Sequence, residues 1–404
     1  MPSCSLKDFC FSKNAEKDSD FVGIHFKDGK FRIIFPIGFA PSLNDEALLR
    51  KEILLLISTL RKFRPEDKSN KNSEFKKNDL QSFPISSYLF IFRYFMKNGY
   101  YRTKEEFYKK STSGKISWKM TIKQVRPVLN GENVSYLEFI TKKPNYNDDE
   151  LISIINKFCV YESFEKIGCL FTSFRPKNPH IRCQKKIFSS FLKRKISETF
   201  NDDDRELFKN MLAMIQENDS KGRKCEYFYG TNEFHNVWEK LVDSAFGNVE
   251  KDSNIQPHFY WHITEKPLKI TLIPDTIMFN KGENKIYILD AKYYRAGNDL
   301  NSSALPSAES VPKQLVYAER IKTKKIVQPE NIYNAFILPF ESKSQTKIEY
   351  FGFVEPDWID SKIIEKYSYY KIQGIRIDTR FLMQNHFKDD KTIKNLVSII
   401  ENME

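Results

Sequence analysis

Two apolar runs on either side of a short turn-forming segment constrain this chain more than any other feature. The stretch around Pro274 reads ITLIPDTIMFNKGENKIYILDAKYY. Asn280, Lys281, Gly282, Glu283 and Asn284 supply turn chemistry between the runs, which predicts a β-hairpin. Asp275 follows the proline in the first run, and Asp290 lies 15 residues on (290 − 275), at the end of the second. Side chains alternate across a strand, so Asp290 and Lys292 point to one face, on either side of Ala291. With Asp275 beside them on the neighbouring strand, two carboxylates and one ammonium group would converge.

That convergence suits a hard divalent cation. Mg²⁺ takes oxygen ligands in near-octahedral geometry and keeps several waters, so a few carboxylates and a substrate phosphate suffice. Such an ion lowers the pKa of a bound water and offsets charge on a scissile phosphate. A lysine two residues past the second carboxylate can orient that water and stabilise the charge that develops. Surface hairpins also carry Asp and Lys, and a lone D-x-K says little. The context argues for more: Ile286, Ile288 and Leu289 lead into Asp290, and Leu272, Ile273, Ile277 and Phe279 surround Asp275. Charges among such residues cost several kcal/mol unless paired or metal-bound.

Upstream, NEFHNVWEKLVDSAFG sets Phe234, Val237, Trp238, Leu241, Val242, Ala245 and Phe246 at helical spacing, with Gly247 as a stop. Glu239 falls at the border of the apolar arc, with His235 a turn earlier on the same edge. Glu239 is therefore the candidate for a further acidic ligand, against the alternative of a solvated glutamate; His235 is a weaker candidate. After the hairpin a polar loop spans Tyr293–Ser310. A second helix then begins near Ser310–Pro312 and carries Lys313, Gln314, Tyr317 and Arg320. Lys313, Gln314 and Tyr317 are candidates to face a DNA backbone or the pocket, against an ordinary amphipathic helix. The runs NIYNAFILPF, IEYFGFV and YKIQGIRIDTRFLM read as further strands, which gives an α/β core.

With these residues in view, the chain resembles the PD-(D/E)xK nuclease fold: PD, then D-A-K, an upstream glutamate helix and a downstream helix bearing Gln. More narrowly, ILDAKYY, FHNVWE, FVGIHFKDGKFRIIFPIGF and GKISWKMTI resemble the LlaJI-type restriction endonuclease family, which is similar to McrC nuclease subunits of nucleotide-driven restriction systems. The likeness runs from about Phe21 to Met383 and is most specific at 112–122 and 230–320. It implies catalytic roles for Asp275, Asp290, Lys292 and Glu239. It also implies metal positions at Asp275, Asp290, Glu239 and Ala291, with Mg²⁺ as cofactor and Mn²⁺ able to substitute. The implied architecture is a C-terminal restriction-endonuclease-like core at 225–404, with a mixed sheet flanked by helices. An α+β docking region at 1–145 and a helical linker region at 146–224 precede it.

Whole-chain numbers agree with a polyanion partner. Lys and Arg total 65 against 53 acidic residues, a net charge of +12, and phosphate neutralisation drives non-specific DNA binding. A lysine-rich AT-biased genome would produce the same excess. Cys4, Cys10, Cys159, Cys169, Cys183 and Cys225 include no CxxC and no paired zinc spacing, which predicts reduced thiols. The first twenty residues lack an apolar signal core, and runs such as ILLLISTL fall short of the ~20 residues that span a bilayer. The expectation is a cytoplasmic chain with no membrane contact.

The upstream half has its own pattern. Phe21–His25 and Lys30–Phe35 predict a hairpin, and helices are expected at about Asp45–Lys62, Ile85–Asn98 and Thr103–Thr112. Arg64–Asp79 reads as an exposed loop, GKISWKMTI as a strand, and 148–216 as helical. Asn147–Asp149 and Asn201–Asp204 read as helix N-caps. The basic run CQKKIFSSFLKRK suits either DNA or a solvated helix face. No G-x-x-x-x-G-K-[ST] occurs; Ser113-Gly114-Lys115-Ile116-Ser117 is the nearest fragment. The resemblance therefore implies that a separate AAA+ GTPase of the McrB type supplies the motor, docking at Lys115, Trp118 and Lys119. A homodimer of the nuclease domain is a further expectation. Three functions stay open: a restriction endonuclease subunit acting on double-stranded DNA, a stand-alone repair or recombination nuclease, and a non-catalytic DNA-binding scaffold.

Overall fold

The computed structural model describes residues 6–13, 20–27, 30–63, 84–111, 114–131, 133–147, 150–217, 226–252, 254–263, 265–295 and 305–402. The chain divides into two compact units, one formed by Met1–Gln81 with Cys225–Glu404 and the other by Ser82–Lys224. The predicted loop at 64–79 and the Asn147–Asp149 cap, apart from the backbone of Asn147, lie outside the described residues.

The larger unit begins with β1 (Cys10–Ser12), β2 (Val22–Lys27), β3 (Lys30–Phe35) and α1 (Glu46–Phe63). β2 and β3 form the hairpin expected from the sequence. β2 also pairs with β9, a strand that follows the smaller unit in the chain and is introduced below. This pairing ties the N-terminal hairpin to the part of the larger unit that follows residue 225. The turn after β3 is tied in as well. Ile37 N–H donates to Tyr293 Oη at 2.7 Å, and Thr379 Oγ1 donates to the Ile37 carbonyl at 2.8 Å. Gly38 adopts φ +73°, and a Cβ there would stand 2.5 Å from Thr379 Oγ1 and 2.7 Å from Phe340 N. Only glycine permits that approach.

The smaller unit holds α2 (Ile85–Asn98), β4 (Thr103–Lys110), β5 (Lys115–Ile116), α3 (Trp118–Gln124), β6 (Val128–Asn130), β7 (Asn133–Ser135) and β8 (Ile140–Asn147). It ends with α4 (Leu151–Lys166), α5 (Lys185–Glu198) and α6 (Asp202–Glu217). Two expectations are corrected here. Residues 103–110 form a strand, not a helix, because they pair along their whole length with β8; a long non-local partner overrides local propensity. In GKISWKMTI only Lys115–Ile116 pair as a strand, after which Ser117 opens α3 and its carbonyl accepts from Thr121 N–H at 2.8 Å. The Asn201 cap holds: its Oδ1 accepts from Asp203 N–H at 2.9 Å. Lys186, Lys193 and Arg194 of the basic run are exposed on α5.

The chain returns to the larger unit with β9 (Glu226–Thr231), α7 (Phe234–Phe246), the ribbon strands β10 (His258–Trp261) and β11 (Leu268–Thr271), and the hairpin β12 (Thr276–Asn280) and β13 (Lys285–Ala291). Then come α8 (Ser310–Thr323), β14 (Ile332–Phe340), β15 (Ile348–Val354), α9 (Ser361–Lys366), β16 (Ile372–Asp378), α10 (Thr379–Gln384) and α11 (Asp390–Glu401). The last predicted strand run is thus split, since Asp378 caps α10 by accepting from Phe381 N–H.

The main sheet has strand order β12-β13-β14-β16-β15, parallel through β13, β14 and β16 and antiparallel at both edges. A mixed sheet with helices packed on it is the expected α/β architecture. On one face Ile277, Ile286, Ile288 and Ile332 pack against Tyr317, Ala318 and Ile321 of α8, each fully buried side chain contributing about 1.5–3 kcal/mol. α7 buries all seven residues of its predicted apolar arc.

Candidate active site

The hairpin turn fixes the register that builds the site. Asn280 Oδ1 accepts from Gly282 N–H at 3.1 Å, and Asn284 takes φ +54°, a left-handed conformation that asparagine tolerates. Thr276 then pairs with Leu289 and Ile277 with Ile288. One step further along this register, Asp275 stands beside Asp290. Asp275 Oδ2 accepts a hydrogen bond from Ala291 N–H at 3.0 Å, which closes the open end of the hairpin. Lys292 Nζ lies 2.6 Å from Asp290 Oδ2, on the same face as expected. Backbone pairing continues past β13, with Lys292 N–H donating to the Ile337 carbonyl at 2.9 Å. The structure thus brings Asp275, Asp290 and Lys292 together.

The electrostatics follow from burial of like charges. Desolvation, then the charges of Asp290 and Glu239, push the Asp275 carboxyl up to about 7. Burial works against the Lys292 ammonium, but Asp290 outweighs it and holds Lys292 above its ordinary value. Desolvation also raises Glu239, with the positive charges of His235, Lys292 and Lys251 opposing and Asp290 assisting. Glu239 is therefore half-buried within electrostatic reach of the pair, while His235 is exposed. Trp238 positions that helix: it is fully buried, and its Nε1–H donates to the Ile337 carbonyl at 3.2 Å.

Whether a divalent ion fits can be judged from the donors. Asp290 Oδ2 is buried and, despite its close ion pair, has no hydrogen-bond donor in acceptable geometry. A desolvated carboxylate oxygen with unused acceptor capacity suits a hard cation. Among the described residues no three His, Cys, Asp or Glu side chains form a cluster that could hold a metal. An ion here would draw on the two hairpin carboxylates, the backbone carbonyl that is all Ala291 can offer, and water. Mg²⁺, which keeps much of its hydration, fits that donor set.

The helix after the hairpin turns two of its three candidates inward. Gln314 is fully buried with neither amide atom hydrogen-bonded, and Tyr317 is buried with its hydroxyl donating to the Ile273 carbonyl at 3.1 Å. Neither offers a surface to a duplex, because the apolar stripe of α8 carries both against the sheet. Desolvation, then Asp290 and Asp275, raise the Tyr317 phenol to about 12, which sets it beside the carboxylates. Lys313 is exposed. Lys251 had no signal in the sequence; it pairs with Asp243 at 3.1 Å and donates to the Asp275 carbonyl. Lys115, Trp118 and Lys119 lie in the smaller unit, all exposed.

One expected outcome follows from Asp275. Its folded pKa lies above the ordinary carboxyl value of 3.8, so its contribution to stability is present at low pH and lost as pH rises from about 4 through 7. Without metal, Asp275→Asn should therefore gain on the wild type across that window, by roughly 2 kcal/mol once solvent screening is allowed for. Chemical denaturation of both proteins in chelator at pH 4 and pH 8 measures the gap. A gap that does not change with pH would disprove the burial of this carboxyl.

The hairpin end of this mixed α/β sheet thus carries an acidic pair and a lysine, and sequence comparison gives the family. The chain belongs to the LlaJI restriction endonuclease family, whose profile matches residues 21–374. It is similar to the type II restriction enzyme BsuMI component YdjA of Bacillus subtilis (strain 168), at 28 % identity over 277 residues, covering 65 % of this chain. The match spans 59 % of that relative's length. Among the described residues no helix is long and apolar enough to cross a membrane.

Proposed function

We propose that this chain is the Mg²⁺-dependent DNA-cleaving subunit of a restriction system, with a PD-(D/E)xK core in the larger unit. The observation that carries this reading is the hairpin end, where Asp275, held by Ala291 N–H, adjoins the Asp290–Lys292 pair. When bound, Mg²⁺ would activate a water and offset charge on the phosphate. Asp275, Asp290 and the Ala291 carbonyl would hold it, with Glu239 reaching in through water. The Lys292 ammonium then orients the attacking water and stabilises the charge that builds on the phosphoryl oxygens. Tyr317 buttresses the approach to Asp275 through the Ile273 carbonyl.

The second part of the reading is a separate AAA+ GTPase subunit that docks on the smaller unit. It is supported by side chains that fold leaves in water: Trp118 is 55 % exposed, Leu129 72 % and Leu137 76 %, with Lys115 and Lys119 beside Trp118. Large apolar side chains left exposed on one unit favour a protein partner. Double-stranded DNA cleavage by the chain with its partner, GTP and Mg²⁺ is the direct test. Nicking should require metal, and Trp118→Asp should abolish partner stimulation but leave basal nicking intact. Cleavage that persists in chelator would reject the metal mechanism; full stimulation of Trp118→Asp would reject the docking surface.

A further inference from the structure

Between α7 and Asp275 the chain runs out into the two-stranded ribbon β10–β11, which pairs with no other described strand. Its register sets Phe259 opposite Ile270 and Trp261 opposite Leu268 on one side. His258 faces Thr271, and Tyr260 faces Lys269, on the other. The first side is wholly apolar, yet its four residues are 47 to 59 % exposed. The second is polar, with His258 Nδ1 3.1 Å from Thr271 Oγ1. An antiparallel pair normally turns its apolar side to a core; here that side faces water.

The ribbon is fixed at its root. Leu272 N–H donates to the Pro257 carbonyl at 3.0 Å, and Tyr317 holds the Ile273 carbonyl. Asp275 follows Thr271 by four residues (275 − 271). At no more than about 3.6 Å per extended residue, the ribbon base stands within roughly 14 Å of the carboxylate pair. That is about four base-pair steps at 3.4 Å each. DNA with its scissile phosphate at Asp275 and Asp290 would therefore run alongside the ribbon. The local charge suits it. Desolvation, then the positive charges of Lys269, Arg320 and Lys324, hold His258 below the usual histidine range. Such a cationic root repels its own copy and attracts a polyanion.

We infer that the ribbon is a DNA-contacting finger, whose Phe259 and Trp261 pack on sugars and bases flanking the scissile phosphate while Lys269 approaches the backbone. This rests on the nuclease reading and adds the element that grips the substrate. Aromatic side chains serve such contacts without sequence preference, by stacking or by wedging into a groove.

The test uses the full chain, a fluorescently labelled duplex and chelator, so that binding is read without cleavage. Phe259→Ser with Trp261→Ser should weaken affinity about tenfold or more, with unchanged circular dichroism and melting, since both positions are exposed. Trp emission should be quenched by DNA in the wild type, and less so in Trp261→Phe. If the double variant binds as the wild type does, the finger is rejected and the nuclease reading stands. If the double variant instead loses self-association at unchanged DNA affinity, the face belongs to a second copy and the finger is likewise rejected. If the wild type neither binds nor cleaves DNA under any metal, both readings fall together.

Discussion

Asp290→Asn should abolish DNA cleavage, lowering the rate by roughly a thousandfold or more, in the range expected when a group holding a catalytic ion or charge is removed. The fold should survive. Asparagine keeps the shape and removes a buried charge that presses on Asp275, since Asp290 is the larger of the two charges raising that carboxyl. Asp275 should titrate lower, and in the apo variant the relief of that repulsion is set against the loss of the partner of the half-buried Lys292. Lys292→Met gives the complementary result, a lower turnover with little change in substrate affinity, because its ammonium acts on charge that develops during reaction. A purely structural Asp290–Lys292 pair predicts otherwise: the double variant Asp290→Asn, Lys292→Met, in which neither charge is left unpaired, would cleave normally. Plasmid nicking at saturating Mg²⁺, run beside a denaturation curve for each variant, separates the two.

The largest effect on stability is expected at Trp238. This side chain is fully buried, donates to the Ile337 carbonyl, and stands 6.4 Å from the Tyr293 ring. Trp238→Ala removes a large core side chain and one of the two donors to the Ile337 carbonyl, the other being Lys292 N–H, at a cost of about 3–5 kcal/mol. The consequence reaches the site, because α7 carries Glu239 and Tyr293 follows the Asp290–Lys292 segment. Urea unfolding gives the stability change. A loss below about 1 kcal/mol would show that α7 is not locked to the sheet through this residue. Trp238→Phe, which keeps the volume but not the indole N–H, should recover most of the loss.

The sequence carried the local part of the site. Alternation and turn residues placed Asp275, Asp290 and Lys292 because hairpin register follows from the turn, and a one-residue slip would invert every side chain. The arc of α7 was legible for a similar reason: seven apolar residues at a 3.6-residue period leave one way to bury them. What failed was whatever a distant partner decides. Residues 103–110 read as a helix until β8 paired with them, and Trp118 read as strand until Ser117 opened α3.

Gln314 and Tyr317 shared one helix turn in the sequence, but only packing against β13 and β14 decided that they face inward. Lys251 had no pattern at all, since its contact with Asp275 joins segments 24 residues apart. The N-terminal hairpin pairs with β9, and the turn after it is held by the close approach of Gly38 and by Tyr293, all contacts between residues far apart in the chain. Short-range periodicity and turn chemistry therefore determined the acidic pair and its lysine. Which helices support them, and which aromatic ribbon stands uncovered beside them, was decided by tertiary packing, because a single strand's pattern says that one side must be buried but not what will cover it.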